Sequence, residues 1–257
     1  MKWSWIDIAF PWIGGAAALV LLVLLFGTTL LRSDLGSSRW RDRVWLSWLA
    51  MVIYLLHNGE EYGIDLFGQR HAFPDGMCEV LKLPPYPDCP LPPAFFLAVN
   101  ISLFWIGAPI AALLSRRHPL VGLAFYSVMF TNAVTHLAPL LAGVGYSAGT
   151  LTAAFLFIPV SAWVAYACFG KGRLSYKGMA LLVADGVILH VILMGSIQLF
   201  LHGVIGSAAL VWIQVANAVL FVLIPWVGEK WRGGGVFQPT WIHANPIRGP
   251  RKPVRQA

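Results

Sequence analysis

Charged side chains are scarce in this chain of 257 residues, because Asp, Glu, Lys and Arg together make up only 11% of it. A typical soluble domain contains about 25% of these residues. Hydrophobic residues reach 58%, which is above the roughly 45–50% of such domains. The composition therefore excludes an ordinary soluble globular protein and indicates an integral membrane protein.

Long polar stretches are scarce as well, and apolar segments of about 20 residues, enough to cross a bilayer as helices, recur along the chain. Arg-rich, Pro-rich or Gly-rich breaks separate these segments. The pattern predicts an all-α polytopic bundle of seven transmembrane helices in one domain, residues 1–227, and a basic Gly- and Pro-rich tail, residues 228–257. The predicted spans are Trp12–Leu31, Val44–Asp65, Ala94–Leu114, Leu120–Ala142, Ala148–Phe169, Met179–Phe200 and Ser207–Val227.

Lys and Arg are nearly missing from one side of the predicted membrane. Only Lys2, Arg70 and Lys82 fall there, and the rest of the 18 fall on the opposite side. Because basic loops stay in the cytoplasm, we expect the N-terminus outside and the C-terminus inside, in a multi-pass protein of the cell membrane, a prokaryotic inner membrane. The asymmetry accounts for the net charge of +7, so the expected partners are membrane lipids and not nucleic acid.

Cysteine is sparse, with three residues in the chain. Cys78 and Cys89 fall in the long outer loop, where an oxidising compartment permits a disulfide, and we predict one between them. Cys168 falls at the cytoplasmic end of the fifth span and is expected to pack as a small apolar residue. Because no cysteine accompanies the polar residues of the outer half of the membrane, a thiolate metal site is excluded there.

Polar and ionisable residues are rare within the predicted spans, and such groups indicate a functional site because they are costly inside a bilayer. With a rise of about 1.5 Å per residue, most of them reach the outer half of the membrane. They are His57, Glu60 and Glu61 in the second span, Asn100 in the third, Asn132 and His136 in the fourth, and Asp185, His190 and, at the outer mouth, His202 in the sixth.

Spacing places an imidazole and a carboxylate on one face of the second helix. His57, Glu60 and Glu61 stand at positions i, i+3 and i+4, so the imidazole and at least one carboxylate are neighbours. Asp185 and His190 are five positions apart, which directs their side chains about 140° away from each other. Of these two residues, only His190 is expected at a shared site.

This set of side chains is typical of a transition-metal site. Helix bundles bind metals through inward-facing His and Glu residues of facing helices, and two imidazoles with one carboxylate suit catalytic zinc or non-haem iron. We expect the metal to bind His57, one of Glu60 and Glu61, His136 and also His190. The second Glu would stay free as a general base. Asn132, Asn100, Asp185 and His202 are expected to support the site.

An ordered series of motifs gives the chain a family resemblance. The series is His57-Asn58-Gly59-Glu60-Glu61, Asn132-Ala133-Val134-Thr135-His136, Tyr146-Ser147-Ala148-Gly149 and Pro159. On these residues the chain resembles the HXXEE-domain family of integral membrane proteins, over about residues 44–202. The resemblance carries over His57, Glu60, Glu61 and His136, and it implies an enzyme without naming a reaction. Ala148 departs from the family pattern, in which a Tyr-x-Pro-Gly turn has Pro at this position.

The leading functional hypothesis is a membrane-embedded, metal-dependent enzyme with its site in the outer half of the membrane. Its substrate would be a lipid or a small amphiphilic molecule, and its reaction hydrolysis, or oxidation or hydroxylation. A proton- or ion-coupled transporter could use the same His and Glu residues as a relay, although no inverted repeat, the usual sign of such carriers, is evident. A third hypothesis is a structural or assembly protein, in which the polar residues only join helices through hydrogen bonds.

Overall fold

The computed structural model describes residues 3–231, and these residues form a bundle of helices without a strand. The predicted all-α fold is confirmed. The helices are α1 (Trp5–Gly27), α2 (Arg43–Asn58, continued by a π-helical turn, Gly59–Gly63), α3 (Ala72–Val80), α4 (Pro93–Leu114), α5 (Pro119–Leu141), α6 (Thr150–Cys168), α7 (Tyr176–Leu201) and α8 (Ser207–Trp231).

Six of these helices, α1 and α4 to α8, are long and apolar enough to cross a membrane. The sequence predicts seven spans, and the difference is α2, which has 16 α-helical residues followed by five in the π-helical turn. Its last turns carry His57, Asn58, Glu60 and Glu61, which lower the hydropathy of this segment. The chain is therefore a multi-pass membrane protein whose least apolar long helix carries the candidate site.

Most helix ends lie within a few residues of the predicted ones, and two of the differences change the description of the fold. Helix α1 begins at Trp5, seven residues before the predicted start, because Ser4 and Asp7 form a capping box that satisfies backbone N–H groups of its first turn. Helix α8 continues to Trp231, so the predicted domain boundary at residue 228 lies within a helix. Residues 232–257 of the predicted tail lie outside the described residues.

An aromatic layer lies at the centre of the bundle. The ring of Tyr54 in α2 stacks on Phe104 of α4, with centroids 3.6 Å apart, and lies 5.2 Å from Phe125 of α5 and from Phe157 of α6. Phe157 also contacts the ring of His57 at 4.4 Å. These rings fill the space below the polar end of α2 and keep that end in a dry environment.

The loop between α2 and α4 folds back onto the bundle. A disulfide joins Cys78 of α3 to Cys89, as predicted, and both residues are buried. Phe10, Tyr62 and Phe96 pack in the same apolar cluster as this disulfide. Helix α3 is thereby held over the end of α2 that carries the glutamates. Cys168 is a buried free thiol, consistent with a packing role.

Three helices contain π-helical segments among the described residues, at Gly59–Gly63, Asn100–Gly107 and Ala153–Phe157. Such segments rotate the side chains that follow them and are frequent at functional sites. The first contains Glu60 and Glu61, the second begins at Asn100, and the third follows Thr152. All three therefore lie beside residues of the candidate site.

Candidate metal centre

One carboxylate oxygen lies between two imidazoles at the end of α2. Oε1 of Glu61 is 3.2 Å from Nε2 of His57, one turn earlier on the same helix, and 3.2 Å from Nε2 of His136 on α5. The two imidazole rings are nearly perpendicular, with centroids 5.0 Å apart. Within residues 3–231, this trio is the group of His, Cys, Asp and Glu side chains whose ligand atoms, all within 4.8 Å of one another, could bind one ion.

The trio is almost completely removed from solvent. His57 is 0% exposed, Glu61 3% and His136 5%. A charge or a polar group in such a place is costly unless it has a partner. Among the described residues, no backbone N–H and no hydroxyl group donates to Glu61, so its carboxylate relies on the two imidazoles or on a bound cation.

Glu60, the neighbouring carboxylate, has a different environment. Its Oε1 accepts hydrogen bonds from the hydroxyl of Tyr146, at 2.8 Å, and from the backbone N–H of Leu151, at 2.9 Å. Its Oε2 accepts from the backbone N–H of Thr152, at 2.8 Å, and from the Thr152 hydroxyl, at 2.6 Å. A carboxylate at the first turn of a helix satisfies unpaired N–H groups and is favoured by the helix dipole. Glu60 therefore anchors the beginning of α6.

Thr152 connects this anchor to the imidazole of His57. Its hydroxyl oxygen is 2.7 Å from Nδ1 of His57. The hydroxyl has a single proton, and the carboxylate of Glu60 is a closer and stronger acceptor than the carbonyl of Gly149 at 3.2 Å. Because the hydroxyl donates to Glu60, Nδ1 of His57 must donate to Thr152.

The direction of this hydrogen bond determines the tautomer of the His57 ring. With the proton on Nδ1, the neutral imidazole presents the lone pair of Nε2 to the carboxylate of Glu61. Nε2 is fully buried and has no hydrogen-bond partner in the described structure. Metal-binding histidines are oriented in the same way, with the second ring nitrogen donating to an acceptor. The arrangement requires either a second proton on His57 or a cation between the three side chains.

Gly149 brings the backbone of the α5–α6 connection directly against both imidazoles. Its φ angle is +97°, and a Cβ atom at this position would lie 2.6 Å from Cε1 of His136 and 2.8 Å from Cε1 of His57. Only glycine allows both this conformation and this approach. The connection thus closes one side of the trio without a side chain.

The other predicted site residues lie around the trio and not in it. His190 donates through Nδ1 to the carbonyl of Gly186, and it lines a cavity together with Glu61, Asn100 and Asn132. The amide of Asn132 donates to the hydroxyl of Tyr54, and that of Asn100 to the carbonyl of Phe96.

Asp185 and His202 do not take part in the trio. Asp185 is completely buried, and neither carboxylate oxygen has a hydrogen-bond partner in the described structure. His202 is exposed and contacts the carbonyl of Gln198 through Nδ1, at 2.8 Å. Neither residue belongs to the group that could bind one ion.

Three participants were not predicted as site residues from the sequence. Thr152 is an uncharged residue at the start of an apolar span and was not selected as a candidate. Tyr146 and Gly149 belong to the motif series of the resemblance, which marked the segment but not the contacts. The signal that could have identified Thr152 is its place at a helix start just after a glycine, where an acidic partner is favoured.

Residues 48–164 match the protein-family model described as "Protein of unknown function with HXXEE motif". No curated protein matches the chain, and no solved structure does. The matched region contains the trio, Glu60 and Thr152, and so covers the whole candidate metal centre. The resemblance predicted from the motifs is confirmed, and the chain is a multi-pass membrane protein that carries an HXXEE region at residues 48–164.

Proposed function

We propose that the protein is a membrane-embedded, metal-dependent enzyme in which His57, Glu61 and His136 bind a zinc or iron ion. Two imidazole nitrogens and one carboxylate oxygen, with at least one position left open, are a ligand set for catalytic zinc and for non-haem iron. The substrate would be a lipid or a small amphiphilic molecule, since the site belongs to the transmembrane bundle. The bound ion would act as a Lewis acid or, if it is iron, as a redox centre.

The distances between the three ligand atoms support an ion bound between His57, Glu61 and His136. Ligand atoms that bind one tetrahedral zinc ion at about 2.0–2.1 Å lie about 3.4 Å from one another. The contacts between Glu61 and the two imidazoles are 3.2 Å. The ring of His57 is already oriented by Thr152 with its Nε2 lone pair on this side. The observation that carries the proposal is this unpaired, buried Nε2 beside a carboxylate.

The roles of the two glutamates follow from their contacts. Glu61 would be the carboxylate ligand. Glu60 has four donors, so instead of the free general base expected from the sequence we assign it a positioning role, acting on His57 through Thr152. His190, Asn132 and Asn100 would line the space next to the ion.

The membrane and the orientation of the chain are part of the same proposal. The distribution of Lys and Arg supports an N-terminus outside and a C-terminus inside, and with it a site near the outer face of a cell membrane, a prokaryotic inner membrane. Cys78 and Cys89, joined in a disulfide, would then face an oxidising compartment. Membrane lipids would be the surrounding partners.

Metal analysis of the detergent-purified protein tests the proposal. The wild type, loaded with Zn²⁺ or anaerobically with Fe²⁺ and then desalted, is expected to retain one ion per chain. His57→Ala and Glu61→Ala are expected to retain far less. His118→Ala is a matched control, because His118 also contacts a glutamate, Glu229, at 2.8 Å but has no second histidine beside it.

Equal and sub-stoichiometric metal in all four proteins would remove the metal centre. In that case, reconstitution into vesicles decides what remains. Proton-coupled uptake that disappears in Glu61→Ala would favour the transporter hypothesis. Uptake that is the same in vesicles with and without the protein would favour a structural role for the polar residues.

A further inference from the structure

A small cavity adjoins the candidate metal centre. It has a volume of about 80 Å³ and is bounded by α2, α3, α4, α5, α7 and α8. Glu61 belongs to its wall, so the carboxylate of the trio is shared between the ion site and the cavity. About 150 Å³ suffices for benzene in an engineered protein cavity. The space therefore suits the end of a small molecule and not a whole lipid.

The polar groups of the cavity wall are mostly uncharged. Four amide side chains, two tyrosine hydroxyls, one imidazole and one carboxylate line it, and none of the lining residues is Lys or Arg. A carboxylate or phosphate ligand would find no Lys or Arg in this wall to pair with. The four amides and the imidazole are Asn100, Asn132, Gln214, Asn217 and His190.

Two of the amides have unused acceptors. The NH₂ group of Asn132 donates to the hydroxyl of Tyr54, and that of Asn217 donates to the backbone carbonyl of Leu189. The amide oxygens of both residues are buried and lack a hydrogen-bond partner in the described structure. Buried acceptors without a donor are unfavourable. A ligand that fits here should therefore bring a hydrogen-bond donor.

The remaining wall is apolar and partly aromatic. Phe73 and Met77 of α3, Phe96 and Phe104 of α4, and Leu193 of α7 contribute to it. Phe73 also lies 5.7 Å from the ring of His136, so the same side chain borders the cavity and the trio. An apolar wall makes a charged ligand costly, and a metal ion at Glu61 would repel an ammonium group.

We infer that this cavity binds the hydroxyl-bearing end of a small neutral alcohol, with the hydroxyl among Glu61, Asn132 and Asn217 and the carbon atoms against Phe96, Phe104 and Leu193. The inference rests on the proposed function, which supplies the positive charge that distinguishes an alcohol from an amine. It assigns an alcohol as the substrate class of the metal centre.

Ligand-observed ¹⁹F NMR tests the inference on the full chain, purified in detergent and loaded with Zn²⁺. The probes are 3-fluoropropan-1-ol, 3-fluoropropan-1-amine, 3-fluoropropanoate and 1-fluorobutane, with empty micelles as the background. We expect the alcohol to show the largest protein-dependent line broadening. Equal broadening by 1-fluorobutane, or greater broadening by the amine or the carboxylate, would overturn the inference.

Two variants locate the binding. Leu193→Phe adds volume to the cavity wall, and Val128→Leu does so by one carbon in case the larger change prevents folding. Val191→Phe is the control, because Val191 lies on the same helix but is 64% exposed at the surface. Overpacking is expected to weaken alcohol binding about tenfold in Leu193→Phe and to leave Val191→Phe unchanged.

Metal content, measured in the same samples, separates the two proposals. Loss of alcohol binding in Leu193→Phe with the metal retained supports the cavity assignment. Unchanged alcohol binding in both cavity variants, with the metal retained, refutes the cavity assignment and leaves the metal centre standing. Specific alcohol binding to a protein that retains no metal supports binding in the cavity but refutes the metal centre, and with it the assignment of the alcohol as the substrate of that centre.

Discussion

The two ends of α2 both carry buried carboxylates, but their surroundings differ. At the start, Asp42 accepts hydrogen bonds from the backbone N–H groups of Ser33, Asp34, Val44 and Trp45 and from the Ser33 hydroxyl. At the other end, Glu61 contacts only two imidazole nitrogens within the described residues.

The difference separates a structural carboxylate from one with capacity for a ligand. A carboxylate with five protein donors has no lone pair left for an ion and stabilises the fold by satisfying N–H groups. A buried carboxylate whose partners are imidazoles lacks such compensation until an imidazole donates a proton to it or a cation binds. Glu60, with four donors, resembles Asp42 although it is the sequence neighbour of Glu61.

Replacing Asp42 and Glu61 in turn should produce the largest difference, one variant losing stability and the other losing metal. Asp42→Ala is expected to lower the free energy of unfolding by about 3 kcal/mol, because several N–H groups lose their acceptor. Glu61→Gln should change the unfolding of the metal-free protein by no more than about 1 kcal/mol and abolish metal retention. Unfolding in mixed micelles and metal analysis measure the two effects. Equal destabilisation by both changes would refute the distinction.

A methyl group at Gly149 should disturb the site end of α2 alone. Gly149→Ala would place its Cβ against both imidazoles and is expected to weaken metal binding by about 100-fold, a cost of about 3 kcal/mol from steric overlap and backbone strain. Gly143→Ala is the control, since Gly143 also has a positive φ, +79°, but no atom within 4 Å of the added Cβ. Titration with a chelating competitor measures both affinities, and similar losses would argue against a special role for Gly149.

Removal of the Thr152 hydroxyl should have a smaller effect on the same site. Thr152→Val breaks the connection between Glu60 and Nδ1 of His57 and is expected to weaken metal binding by about 10- to 100-fold. Thr152→Ser should restore it. Thr135→Val serves as the control, because the Thr135 hydroxyl donates to the carbonyl of Asn132 on an exposed face. A valine variant with unchanged affinity would mean that Thr152 does not orient His57.

The smallest expected effect is a dependence of the protein's stability on pH, caused by Asp42 at the start of α2. Burial alone would raise the pKa of Asp42, but the hydrogen bonds from Asp34, Ser33 and Trp45 outweigh burial and hold this pKa below its ordinary value. A lowered folded-state pKa contributes stability above the unfolded-state pKa of about 3.9, and this stability is lost as the pH falls through the folded-state pKa.

Unfolding of the wild type and of Asp42→Asn between pH 7 and pH 3 checks this sign. The stability difference between the two proteins should shrink toward the acid end, where the carboxylate gains a proton. A constant difference would show that the charge of Asp42 does not contribute.

Much of the fold could be predicted because it depends on composition and local pattern. Apolar runs separated by polar breaks predicted the helices within a few residues, except at the start of α1, where the capping pair Ser4 and Asp7 extends the helix beyond the apolar run. The disulfide between Cys78 and Cys89 was predicted from its loop. Among the long helices, α2 was predicted to span the membrane but is not one of the six apolar enough to do so, because the polar residues that define the site also reduce its hydropathy.

Sequence alone was enough to predict an all-α multi-pass membrane protein, because backbone polar groups in lipid must pair within helices. It also identified the polar residues available for a site, because ionisable side chains are costly in a bilayer and therefore rare there. Helical spacing treats positions i+3 and i+4 alike, so it could not choose between Glu60 and Glu61. Only the tertiary structure made that choice, because the first turn of α6 supplies donors to Glu60 while α5 brings His136 to Glu61. These contacts join residues far apart in the chain, and no local pattern determines them.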